Sequence, residues 1–293
     1  MLDWDVLRYV LAIRREGGLS GAARVLGVNH ATVSRQLAKA EAAAGTALFL
    51  RLSTGLEPTE SGQEAANRAA LIEAEVMALE RSLAGRDARM AGPLTITAPP
   101  LVMQTGLADD IAEFHLQHPD IELTLCGSDR VLDLNRREAD VAIRVARAPS
   151  DTLWGRVVTQ QRAGWFASQD WLDQYSKALI SGDEIPIVGF SGWAAPVPLE
   201  LKNARVVATL DDMVSAAALA RAGMGMVRMP AFLGQSDADL CAVPGLKMID
   251  YWPIWALTHP DLRRAPRVLS FIRFVAARFA QRGALYMGGK GRF

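Results

Sequence analysis

Residues 19–45 read LSGAARVLGVNHATVSRQLAKAEAAAG, two small-residue runs parted by a glycine. Ser20 is predicted to cap a helix carrying Ala22, Ala23 and Leu26, and Gly27 to end it, because a residue without Cβ closes a helix in the left-handed conformation. A second helix is predicted over about 31–44. Immediately upstream, Leu7, Val10 and Leu11 recur at helical spacing, Ile13 extends the face, and Gly17-Gly18 stops that helix. Two helices joined by a tight glycine-containing turn are the arrangement in which the second helix enters the major groove of DNA.

The period of that second helix divides its residues. Val33, Leu37 and Ala40 fall at i, i+4 and i+7 and are predicted to face inward, leaving Thr32, Arg35, Gln36 and Lys39 outside, with Asn29 and His30 at the N-terminal end. Arg pairs with guanine, and Asn or Gln with adenine, through two hydrogen bonds each, so these side chains suit base edges. An ordinary solvated helix face has the same pattern, and both readings stand on these residues alone. Over the whole chain of 293 residues, 32 Lys and Arg balance 32 Asp and Glu, which gives no hint of a nucleic-acid, membrane or acidic partner. Between Ser20 and Leu56, however, Arg24, Arg35, Lys39 and Arg51 face one acid, Glu41. That local excess is the kind that phosphate contacts draw on.

After Gly45, the run Leu48-Phe49-Leu50-Arg51, a Ser53-Thr54-Gly55 turn and Leu56 read as a short hairpin or wing, with Arg51 near a phosphate. Thr59 is predicted to cap a new helix. Along it Ala65, Ala69, Ile72, Val76, Leu79 and Leu83 follow at spacings of 4, 3, 4, 3 and 4. Such a seam predicts pairing with a second copy through Ile72, Val76, Leu79 and Leu83. The alternative is an amphipathic helix lying on its own domain. Residues 85–92, rich in Arg and small side chains, mark the boundary.

Beyond it, strands and helices alternate. Strand-like runs at 94–97, 121–125, 140–144, 164–167, 185–190, 206–208 and 226–229 accompany helices over 107–118, 211–222 and 268–279, and 283 onward reads as a loose tail. The alternation predicts a doubly wound α/β fold of two units with a cleft between them.

The chemistry of the chain is sparse. Cys126 and Cys241 form no CxxC and no Cys/His cluster of metal spacing, so reduced buried thiols are expected, with no metal and no cofactor. A redox pair between them would require a large closure of the two units. His30, His115, His118 and His259 find no nucleophile and orienting acid, and GxSxG, GxxxxGK[ST] and HExxH are absent, so no catalytic residue is assigned. The acids Asp3 and Asp5 stand where a signal peptide would carry positive charge, and no uncharged apolar run reaches about 18 residues. A cytoplasmic location without a membrane partner is expected.

The run Leu7…Val10…Ile13…Gly17, Ala22-Ala23…Leu26…Val33-Ser34-Arg35-Gln36…Glu41…Gly45…Leu48-Phe49-x-Arg51…Thr59…Gly62 resembles the N-terminal winged helix-turn-helix of the LysR-type transcriptional regulators. Gly18, Ala40 and His30 depart from that pattern, where the family usually has Ser, Leu and often Gln. Gly92-x-Leu94 to Thr97, His118-Pro119-Asp120-Ile121, Asp140 to Ile143 and Ala222 to Met226 resemble blocks of the family's effector half, which is similar to periplasmic binding proteins.

The resemblance implies a winged helix-turn-helix domain over 1–58, a coiled-coil dimerisation helix over 59–89 and an effector domain over 90–293. Its subdomain I would take 90–162 and 260–293, and subdomain II 163–259, with the chain crossing between them near 162–164 and 258–261. It implies a bacterial regulator that binds an interrupted palindrome in double-stranded DNA as a homodimer or homotetramer, senses a small molecule and contacts RNA polymerase. Ligands of open α/β sheets lie beyond the carboxyl ends of strands. That rule selects Pro99, Pro100, Leu101, Ser128, Arg144, Trp193 and Met224, together with Thr97 as a further polar group. Many relatives place a Ser or Thr at a helix N-terminus in the first loop, suited to a carboxylate; here Pro99-Pro100-Leu101 stands there. Arg144 reads either as an anion clamp or as a solvated strand end, and Trp193 either as an aromatic wall or as rim packing. An architectural DNA-binding protein without a ligand, or an enzyme in the α/β half, are the other classes these residues leave open.

Overall fold

The computed structural model describes residues 2–52, 55–86, 89–128, 134, 138–192, 201 and 203–289, without the side chains of 84–86. The chain divides into two compact units, Met1–Ser82 and Leu83–Phe293.

In the first unit, α1 (Trp4–Glu16), α2 (Leu19–Leu26) and α3 (His30–Ala44) precede the strands β1 (Phe49–Leu52) and β2 (Gly55–Pro58) and the long helix α4 (Glu60–Arg86). Gly17, Gly27 and Gly45 end the first three helices in the left-handed conformation, as their missing side chains allow. Ser20 is not the cap of α2. Gly18 occupies that position in extended backbone and offers no side-chain hydrogen bond. Val33, Leu37 and Ala40 are buried against Val10, Ile13 and Ala22, as their spacing predicts. Strands β1 and β2 pair antiparallel as a wing, with Arg51 opposite Leu56; the predicted Ser53-Thr54 turn lies outside the described residues.

The second unit begins with β3 (Gly92–Ala98), α5 (Pro100–Val102), α6 (Ala108–Gln117), β4 (Ile121–Gly127), β5 (Val141–Val145), β6 (Trp154–Ala167) and α7 (Gln169–Ser181). It continues with β7 (Ile185–Phe190), β8 (Ala204–Leu210), α8 (Met213–Arg221), β9 (Met226–Pro230), α9 (Ala231–Ser236), β10 (Cys241–Ala242), β11 (Ile249–Thr258), α10 (Pro266–Gln281) and α11 (Gly283–Tyr286). Among the described residues the strands run in the order β4-β3-β5-β11-β6-β9-β7-β8, with β10 beside β6. Parallel pairs β3·β4, β3·β5, β7·β8 and β7·β9 make two α/β halves. The antiparallel strands β6 and β11 join them.

Several elements escape the sequence pattern. β6 runs unbroken from Trp154, ten residues before the strand predicted at 164, and neither α7 nor β11 was expected. Within β11, Ile249–Tyr251 pair with Ala163–Gln161 of β6, whereas Ile254–Thr258 also pair with β5. The second crossing therefore lies inside β11, at the register shift between Tyr251 and Ile254, rather than near 258–261. The segment after 283 is not a loose tail at its start, because Leu285 and Tyr286 of α11 are buried and Tyr286 stacks on Phe279. Cys126 and Cys241 are free thiols, half-buried rather than buried. Among the described residues no helix is long and apolar enough to cross a membrane, and no cluster of metal-ligating side chains occurs.

Candidate DNA-contacting face and ligand cleft

The face of α3 is built from its cap outward. Asn29 ends the preceding turn in extended backbone and its Oδ1 accepts from the Thr32 amide at 2.8 Å. Its carbonyl oxygen therefore positions the helix, leaving its amide NH2 as the group available for contact. His30 and Arg35 are exposed, and Thr32 and Gln36 half-buried. Among the described residues the buried Gln36 Oε1 atom has no hydrogen-bond partner. Lys39 lies 3.7 Å from Asp3, with both side chains more than half exposed, a pairing of little energetic weight. Arg51 stands exposed on β1. Arg24, exposed on α2, adds a further cation that the site assignment had left out.

The wing is fixed by side chains whose spacing was visible but whose purpose was not. One oxygen of Glu41 accepts from the Leu48 and Phe49 amides at 2.9 and 3.3 Å. The Thr59 hydroxyl donates to the Ala47 carbonyl at 2.8 Å and accepts from the Gly62 amide at 3.0 Å, capping α4 as predicted. Glu41, Leu48, Thr59 and Gly62 thus form one hydrogen-bonded junction joining α3, β1 and α4.

In the second unit a cavity of about 220 Å³ opens between the two α/β halves. Pro99, Leu101, Arg144 and Val145 line it from one side, and Phe190, Gly192, Met213 and Pro230 from the other. Tyr251 and Trp252 of the crossing strand, stacked at 5.6 Å, complete the wall. Burial raises the Tyr251 pKa above its ordinary value, against the opposing influence of Arg228, so the phenol stays protonated at neutral pH.

Of the residues selected from sequence, Pro99, Leu101 and Arg144 meet at this cavity. Arg144 is 8% exposed, not a solvated strand end. Its Nη1 donates to the Ser128 carbonyl at 2.9 Å and its Nη2 to the Thr97 hydroxyl at 2.7 Å. Ser128 and Thr97 therefore hold Arg144 in place. Pro100 opens α5 half-buried, Met224 lies 42% exposed away from the lining, and Trp193 lies outside the described residues. Phe190, Met213, Pro230, Tyr251 and Trp252 were not foreseen; the aromatic pair Tyr251-Trp252 ahead of Pro253 was the available signal. A second cavity, about 380 Å³, is walled by Trp165, Arg228, Lys247 and neighbours on one α/β half and the approach to β11, so it does not bridge the halves.

Residues 4–63 match the bacterial regulatory helix-turn-helix protein, lysR family, and residues 87–280 match the LysR substrate binding domain. The chain is 29% identical over 293 residues to the Mau operon transcriptional activator of Paracoccus denitrificans, covering 96% of this chain and 98% of that protein. The full-length structure of AphB, a Vibrio cholerae virulence activator, matches with a TM-score of 0.60 at 18% identity, over 94% of this chain and 99% of that one. CrgA from Neisseria meningitidis, a LysR-type transcriptional regulator, matches at 0.56 and 21% identity, over 95% and 99%. At such identities the structural likeness establishes the fold.

Proposed function

The chain belongs to the LysR family of bacterial helix-turn-helix transcriptional regulators, and on that footing we propose that α3 reads a promoter site through His30, Thr32, Arg35, Gln36 and Lys39. Arg51 of the wing and Arg24 hold phosphates, and Asn29 serves first as the cap that aims the helix. The observation that carries this reading is the exposed edge of α3, where His30 and Arg35 face solvent while Val33, Leu37 and Ala40 anchor the opposite side.

The working boundaries are 1–58 for the DNA-binding domain, 59–89 for the dimerisation helix and 90–293 for the effector domain. Paired α4 helices set two recognition helices on the half-sites of an interrupted palindrome, and α/β halves pair further into a tetramer. A small molecule entering the 220 Å³ cavity changes how the halves close on β6 and β11. That change alters DNA bending and contact with RNA polymerase in the cytoplasm. The protein acts by binding, without a catalytic step or cofactor.

Footprinting and titration test the DNA half. Arg35→Ala is expected to weaken specific binding by about 1–3 kcal/mol and to leave non-specific binding nearly unchanged. Equal losses on specific and random DNA would reduce Arg35 to a phosphate contact. Protection spread along DNA without a dyad-symmetric site would point instead to an architectural binder.

A further inference from the structure

Resting on the reading of the 220 Å³ cavity as the effector site, we infer that it takes an uncharged ring with a short substituent, not a carboxylate. Its walls are the apolar surfaces of Leu101, Val145, Phe190, Met213 and Trp252. An apolar cavity of about 150 Å³ already accepts benzene, so 220 Å³ holds one ring and little more.

A buried carboxylate needs donors aimed at it, since transfer of an unpaired charge from water is among the largest penalties in a protein interior. The backbone at the first loop offers fewer than the two or three amides such a group takes. Pro99 and Pro100 open α5 and neither carries an N–H. The next amide is that of Leu101; those of Val102 and Met103, which follow, both donate to the Pro99 carbonyl at 3.0 Å. Arg144, the cation in the described lining, directs Nη1 and Nη2 to the Ser128 carbonyl and the Thr97 hydroxyl, which ties it to β3 and the end of β4. Tyr251, whose phenol stays protonated, adds a neutral polar group to the wall rather than a charge.

Titration calorimetry on the full chain with a matched pair, benzyl alcohol and benzoate, separates the two chemistries. Benzyl alcohol is expected to bind at least about tenfold more tightly. Trp252→Ala, at a side chain 45% exposed and so tolerant of change, is expected to weaken benzyl alcohol several-fold. Met213→Trp, which fills the cavity, is expected to abolish binding, with a wild-type circular dichroism melt of the full chain as its control for folding. Benzoate binding as tightly as benzyl alcohol, or benzyl alcohol binding unaffected by Trp252→Ala, overturns the inference. Failure of both probes to bind overturns it as well, while a ligand-sensitive footprint with any other metabolite would leave the regulatory reading standing.

Discussion

Gly62 shows what a single missing side chain does in this protein. A Cβ built on it would overlap the Leu48 carbonyl oxygen and stand 2.8 Å from the carbonyl carbon, both backbone atoms. Leu48 cannot yield easily, because it is buried and its amide is held by Glu41 and its carbonyl by the Thr59 amide. Gly62→Ala should therefore destabilise the DNA-binding unit by about 1–3 kcal/mol, the usual range for forced overpacking. Urea unfolding followed by circular dichroism measures it, and a change below about 0.5 kcal/mol would mean the wing junction relaxes freely. Gly18 makes the contrast, since its backbone is extended and nothing lies within 4 Å of a Cβ there. The family's usual Ser fits that space, and its absence here leaves α2 without a side-chain cap.

Helix α8 delivers Met213 to the cavity, and the cap that starts it titrates. Asp212 accepts from the Val214 and Ser215 amides at 2.9 and 3.0 Å. The Ser215 hydroxyl first, and then these amides, lower its pKa below the ordinary 3.8. A lowered folded-state pKa means the carboxylate stabilises the folded protein fully above the unfolded value, and that contribution disappears as pH falls through the folded one. Asp212→Ala should cost about 0.5–2 kcal/mol at neutral pH, as other cap losses do. The gap between variant and wild type should narrow below pH 3.8, and urea midpoints measured between pH 7 and 3 would refute this by staying a constant distance apart.

The same scale explains what sequence periodicity could and could not reveal. The run Ile185–Phe190 is apolar throughout and largely buried, and Met226–Pro230 is so apart from Arg228, so they read as strands directly. The two joining strands do not. Polar Gln160, Gln161 and Arg162 interrupt β6, and in β11 Pro253, without an N–H, sits at the register shift. Half the cavity wall rides on those strands or on faces, like those of Phe190 and Met213, that become a cleft only through long-range order. The DNA-facing side was legible because one helix carries most of it, with burial and exposure repeating every turn.

Assembly is a property of the whole molecule, and α4 is the element proposed to direct it. Its first half is committed to its own unit, with Ala66 and Ala69 buried in contact with core residues of that unit and Glu73 hydrogen-bonded twice to Arg15 at 3.0 and 2.7 Å. That half fits the reading of α4 as a helix lying on its own domain, and pairing is left to the second half. From that tether onward, starting beside it at Ile72, the residues Ile72, Val76, Leu79 and Leu83 remain 37, 37, 61 and 59% exposed, a stripe spanning about 16 Å at the helical rise of 1.5 Å per residue. An exposed a/d stripe of this kind is expected to pair with its copy. The double variant Val76→Asp, Leu79→Asp places two desolvated charges in each strand of the pair, so light scattering should find the mass reduced to a dimer held by the α/β halves or to a monomer. Losing the second recognition helix removes the effective-concentration gain of bivalent binding, about 10²–10⁴-fold. Affinity for the full palindrome should fall by that order, whereas affinity for an isolated half-site should not. An unchanged mass would move the interface away from α4. An unchanged mass together with intact palindrome binding would remove the helix from DNA recognition altogether.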